Sequence, residues 1–185
     1  MPRGVDSAYI QDLNLNGLQS MTNQAPKLAW GHININVSNL EQSIAFYEKL
    51  GFQQFIPAIP YLGLSAKKES VALPQTSACA LGVAKNTRGR ACIMQLDDGF
   101  PKLDLTEFDI EQQNKPLSNG DLGLVRICLA SQNLKQTYEQ LCAQGIEFIS
   151  PPQRDDGGLA DIAVCRDPDG TLIELLQVYL ENWNL

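Results

Sequence analysis

From residue 30 to residue 57 the chain reads WGHININVSNLEQSIAFYEKLGFQQFIP, and two hydrophobic periods follow one another within it. His32, Asn34 and Asn36 alternate with Ile33, Ile35 and Val37, the period of two that marks a strand with one face on a core. Leu40, Ile44, Tyr47 and Leu50 then recur at helical spacing. Asn39 or Ser38 stands where it can cap the helix start, and Gly51 where the helix end needs a positive φ. Apolar residues and Pro57 follow, so the stretch predicts strand, helix, strand. The pattern returns at residues 124–151, LVRICLASQNLKQTYEQLCAQGIEFISP, with Ile33 matching Ile127, Asn39 matching Asn133, Leu40 matching Leu134, Gly51 matching Gly145 and Pro57 matching Pro151. Such an internal repeat predicts two equivalent modules. It also sets His32 against an unlike residue, Arg126.

Between the repeats the first module carries the longer insert, whose Pro, Gly, Ser and Lys content predicts loops around a short strand near residues 77–83, placed to cover a site. Residues 90–96 (RACIMQL) and 102–108 (KLDLTEF) read as strands joined by the turn Asp97-Asp98-Gly99. The second module ends in strands over 159–166 and 171–179, joined by the turn Asp167-Pro168-Asp169-Gly170. Each module thus reads β-α-β-β-β. The fold class is α+β: two paired β-α-β-β-β modules, each a curled mixed four-stranded sheet around a cleft, with its helix on the other face. The expected organisation is an N-terminal extension (1–27), the first module (28–111), a linker (112–120), the second module (121–180) and a C-terminal tail (181–185). The extension, with a weak apolar periodicity through Ile10, Leu13, Leu15 and Leu18, reads either as a disordered arm or as a short helix docking on a partner subunit.

Composition narrows the function. The hydrophobic content of 44% is spread without an apolar run long enough to span a bilayer, and the N-terminus lacks a signal-peptide pattern, so a cytoplasmic protein that does not enter membranes is expected. A net charge of −7 without a basic cluster argues against nucleic acid as a partner. The 5 cysteines, Cys79, Cys92, Cys128, Cys142 and Cys165, have no C-x-x-C spacing, which argues against a disulfide framework or a zinc knuckle.

Paired β-α-β-β-β modules, GHININVSNLEQSIAFYEKLGF at the first start and CRDPDGTLIELLQ at the second end resemble the vicinal oxygen chelate superfamily, the group of glyoxalase I, bleomycin resistance proteins and extradiol dioxygenases. In its metal-dependent members one ligand comes from the first strand and one from the last strand of each module. The resemblance therefore implies His32, Asp104 and Glu174 as metal ligands for a divalent ion, Ni, Zn, Mn, Co or Fe. Asp104 follows from laying KLDLTEF over LIELLQV, which sets Glu107 opposite Gln177 on the other strand face as the fallback. The fourth ligand position holds Arg126, whose guanidinium cannot ligate.

Two functions remain open. One is a lyase or isomerase of the glyoxalase type, acting on a small vicinal-oxygen metabolite through an enediolate-type intermediate, with Glu174 or Glu107 as the base. The other is a metal-free, bleomycin-resistance-like binding protein, in which an inward Arg126 pairs with Asp104 and Glu174 in place of the ion and no cofactor is needed. A structural or regulatory subunit is a third reading. Because His32 is the chain's 1 histidine, ring cleavage of the extradiol type is disfavoured. Arg126, Asn34 and Cys128 are the expected substrate-pocket residues, with Tyr61, Phe100 and Trp183 as aromatic walls, and the resemblance implies a homodimer.

Overall fold

The computed structural model describes residues 27–110 and 115–183, and the first element among them is strand β1 (His32–Asn36). Helix α1 (Leu40–Lys49) starts at Asn39, whose side chain accepts the N–H of Gln42 at 2.9 Å, and Gly51 takes φ 94° just beyond its end. Strands β2 (Gln53–Ile56), β3 (Ala58–Ile59), β4 (Leu64–Ser65) and β5 (Val71–Ala72), helix α2 (Gln75–Leu81), and strands β6 (Arg88–Gln95) and β7 (Lys102–Phe108) complete the first half. The second half runs β8 (Arg126–Ala130), α3 (Leu134–Ala143), β9 (Gln153–Arg154), β10 (Ala160–Arg166) and β11 (Leu172–Val178).

One sheet has the order β1-β7-β6-β2, with β5 also pairing β6; the other has the order β8-β11-β10-β9. In both, the first and last strands of the repeat pair in parallel, β1 with β7 and β8 with β11, and the other pairings are antiparallel. The α+β class and the two mixed four-stranded sheets are as the sequence predicts.

Two local expectations are corrected. Residues 77–83 do not form a strand: α2 occupies most of the stretch, because SACAL is rich in good helix formers, Pro74 precedes the first turn and Gly82 closes the last at φ 67°. In the second module the apolar run after Gly145 makes only an isolated bridge, Phe148 to Cys165, and the paired strand β9 lies beyond Pro151-Pro152. Prolines cannot donate to a ladder, so pairing resumes after them. The expected docking arm lies outside the described residues.

The helix-side faces of both sheets share one apolar cluster, which runs from Ile35, Leu40, Tyr47 and Leu105 to Leu134, Leu141, Ile173 and Leu175. Polar contacts fasten the halves together. The Tyr47 hydroxyl donates to Asp167 Oδ2 at 3.1 Å, and the Ser38 N–H donates to Asp169 Oδ2 at 2.9 Å. A second cluster lies on the other face of the first sheet, where Ile59, Leu62, Leu64, Leu73 and Ala78 from the insert cover Ala91 and Ile93 of β6. The corresponding face of the second sheet keeps Ile162, Val164, Leu176 and Val178 only half-buried. The first cleft is thus largely packed from within the chain, and the second is open.

Candidate functional site

Parallel pairing of β1 and β7 sets His32 opposite Lys102, Asn34 opposite Asp104 and Asn36 opposite Thr106. Strand alternation turns all six toward the cleft, away from the helix. The face is tied together by Thr106 Oγ1 donating to Asn34 Oδ1 at 2.8 Å and by Asn34 Nδ2 donating to Asn36 Oδ1 at 2.9 Å. Asp104 Oδ2 lies 3.6 Å from His32 Nε2 and accepts the Tyr61 hydroxyl at 3.1 Å. The Tyr61 ring stacks at 6.3 Å and 25° against that of His32, so the insert reaches over the pair. Asp104 is 0% exposed and its Oδ1 has no hydrogen-bond partner. Burial pushes its carboxyl above the ordinary carboxylate range, against a smaller opposing pull from His32 and Tyr61.

At the neighbouring position Lys102 is only 3% exposed. Its Nζ donates to Gln95 Oε1 at 2.9 Å and lies 4.9 Å from the Phe55 ring centroid and 5.1 Å from that of Phe100. Burial draws its pKa down. This arrangement depends on the β2, β6 and β7 registers, which spacing along the chain does not show. Its one visible signal is a lysine two residues before Asp104, on the same strand face as Asp104 and Thr106.

In the second module Arg126 Nε donates to Glu174 Oε2, and Nη1 donates to Asn119 Oδ1 at 2.9 Å. These two residues occupy the places that His32 and Asp104 take in the first module. Cys128, the register partner of Glu174, is exposed, and its thiol is raised first by burial and then by that carboxylate.

Glu107 stands on the opposite face of its sheet from Asp104. Its Oε2 accepts the N–H of Leu40 at 2.6 Å and a hydrogen bond from Arg90 Nη2, also 2.6 Å long. Gln177 does the same for the second helix, accepting the N–H of Leu134 at 2.7 Å. Both are helix caps reaching across from the last strand of their modules, and Glu107 does not join the His32 face.

Asn34, Asn36 and Arg126 line a cavity of about 450 Å³ between β1 and β8, together with Lys115 and Asp169. Arg126 and Cys128 line a second one of about 300 Å³, walled by Phe100, Leu103 and Leu124. Tyr61 covers Asp104, whereas Trp183 donates from Nε1 to Leu159 O at 3.3 Å, against the start of β10. Among the described residues no three His, Cys, Asp or Glu side chains come together as a metal-binding group. The three residues expected to ligate do not fit a divalent ion: His32 and Asp104 supply two donors, and Glu174 is held by a cation.

The chain's relatives agree with this architecture. A family model described as the glyoxalase/bleomycin resistance protein/dioxygenase superfamily matches residues 29–175. The chain belongs to this superfamily. Among solved superfamily structures, a glyoxalase family protein from Bacillus cereus is 16% identical, with a TM-score of 0.66 over 85% of this chain and 98% of the other. A glyoxalase family protein from Enterococcus faecalis is 26% identical, with a TM-score of 0.53 over 78% and 94%. A superfamily member from Sphaerobacter thermophilus is 20% identical, with a TM-score of 0.53 over 81% and 98%. These likenesses concern the fold. No curated protein matches the sequence. No helix among the described residues is long and apolar enough to cross a membrane.

Proposed function

We propose that this superfamily member binds a small molecule in the cavity between β1 and β8 without a metal ion, in the manner of a sequestering protein rather than a lyase. The observation that carries this reading is the Arg126–Glu174 pair. The guanidinium stands at the place of a ligand and occupies the carboxylate that a metal would need. Arg126, Asn34 and Asn36 supply the polar groups of the cavity, and Ile33, Leu117 and Leu124 supply apolar wall. The net charge of −7 favours a cationic ligand reaching the protein, with an apolar or aromatic body to occupy that wall. The half-buried apolar residues of the second sheet, Ile162, Val164, Leu176 and Val178, suit burial against a second copy of the chain, which makes a homodimer part of the same proposal.

Calorimetric titration of the metal-stripped protein with Mn, Co, Ni and Zn should give no stoichiometric binding, while a thermal-shift screen of cationic aromatic compounds should find ligands weakened by Asn34→Ala, which removes a polar group of the cavity. Tight binding of about one metal per chain, lost in His32→Ala, would overturn the proposal and restore the metal-dependent lyase or isomerase.

A further inference from the structure

We propose that the N-terminal segment Leu13-Asn14-Leu15-Asn16 docks as an added strand in the groove between β1 and β8 of its own chain. This gives the groove an internal partner and does not rest on the ligand proposed above, with which that partner would compete for the same space.

Both walls of the groove are free sheet edges. Among the described residues β1 pairs only with β7, and β8 only with β11. The Lys102 N–H donates to Gly31 O at 3.1 Å and the Val37 N–H to Thr106 O at 2.9 Å, so the odd-numbered residues of β1 bond to β7. Alternate residues of a strand aim their amides to opposite sides, which leaves the N–H and C=O of Asn34 and Asn36 on the free edge. The Ser131 N–H donates to Leu176 O at 2.8 Å and sets the same phase in β8, so Arg126 and Cys128 present theirs on its free edge. The cavity of about 450 Å³ meets four consecutive residues of β1, 33–36, and four at the entry to β8, 124–127. Side chains in a row alternate between the two faces of a sheet, so a hollow touching four in succession runs along the edge itself. Unpaired edges of this kind are templates for a further strand.

A strand added there sends alternate side chains toward Ile33, Ile35 and Ile127 on the helix side and toward Asn34, Asn36 and Arg126 on the cleft side. The occupant must therefore alternate apolar with polar. Leu13-Asn14-Leu15-Asn16 does so, and it matches residue for residue the pattern of Ile33-Asn34-Ile35-Asn36 in β1. Its tether is long enough, because residues 17–31 span up to about 50 Å when extended and β1 itself borders the groove. Such a tether makes docking intramolecular, at an effective concentration on the order of mM. Apolar surface lies open along the path: Trp30, just before β1, is 73% exposed, and Leu124, on the groove wall, is 67% exposed. The charges match as well. Asp12 leads the repeat, and Lys115 on the groove rim has no ion-pair partner among the described residues, while Asp169 accepts the Ser38 N–H.

Amide hydrogen exchange of the full chain, read residue by residue at high and low protein concentration, tests the contact. The free-edge amides of Asn34, Asn36 and Cys128 should exchange about tenfold faster in a full-length Leu13→Asp, Leu15→Asp double variant than in the wild-type protein. Ile35 and Leu129, which bond within their own sheets, should exchange alike in both and so report an intact fold. A synthetic peptide of residues 11–17, added to the double variant, should slow the same free-edge amides again. Equal rates at those amides in the two proteins would overturn the proposal. Slow exchange that disappears on dilution would also overturn it, by assigning the groove to the segment of a second copy.

Discussion

Arg126 and Glu174 form across β8 and β11 the same diagonal contact that His32 and Asp104 form across β1 and β7, so a nitrogen-bearing side chain and a carboxyl group face each other at both equivalent positions of the duplication. The two contacts differ in burial. Asp104 is sealed beneath Tyr61, whereas the Arg126 side chain is 40% exposed.

That exposure sets the expected cost of breaking the second pair. Arg126→Met should lower stability by about 1–2 kcal/mol, between the small value of a surface pair and the larger penalty of stranding a fully buried charge. Urea unfolding measures it, and a change beyond about 3 kcal/mol would mean that Glu174 is far more shielded than its geometry indicates.

The first pair makes a prediction about pH. Burial raises the Asp104 pKa in the folded chain above its ordinary 3.8, so the folded state keeps the proton to a higher pH than the unfolded state does. Stability from this group is therefore present at low pH and falls as pH rises from the unfolded pKa through the folded one. Asp104→Asn abolishes that loss. The difference in unfolding free energy between variant and wild type should shift in the variant's favour as pH rises above the ordinary carboxyl value of 3.8. The raised Asp167 and the lowered Glu41 and Asp161 are common to both proteins and cancel in this comparison. A flat difference would place Asp104 in a wetter setting.

Glu107→Gln should retain the cap on α1, because Gln177 caps α3 with the same amide oxygen. Glu107→Ala should cost about 1–2 kcal/mol through the lost cap and the stranded Arg90. Neither variant should change ligand affinity by more than about twofold, since the residue faces the helix side. Loss of binding in Glu107→Gln at unchanged melting temperature would return Glu107 to the site.

The clasp between the halves rests on Tyr47 and Asp167. Tyr47→Phe removes the hydroxyl from a buried carboxylate and should lower stability by about 1–3 kcal/mol, read as a shift of the single unfolding transition.

Light scattering on a sizing column checks the homodimer. Leu176→Glu, which places a charge on the open face of the second sheet, should convert a dimer into a monomer without loss of helical signal.

The strands and helices were legible because each buries one face, so period two and helical spacing recur in both copies, and Asn39 with Asn133 mark the same helix start. The diagonal pairs were partly legible: laying one copy over the other brings His32 onto Arg126 and Asp104 onto Glu174. The same overlay set Glu107 on Gln177 without revealing that both reach a helix N–H, because strand-to-helix distance has no trace in spacing. The placement of Tyr61 over Asp104 and the enclosure of Lys102 by Phe55 and Phe100 depend on how the insert and three strands fold back on one another. Local pattern does not encode such long-range closure, and the loop-forming residues around SACAL point to a short strand where its own residues form a helix.

The insert that packs Ile59, Leu62 and Leu64 onto β6 has a consequence for the ancestry of such chains. Duplication supplies two interchangeable hollows, and here one of them has been traded for internal bulk. The filled hollow leaves no room for a ligand in the curl of the first sheet, so space for one beside β1 is found where the second module contributes wall.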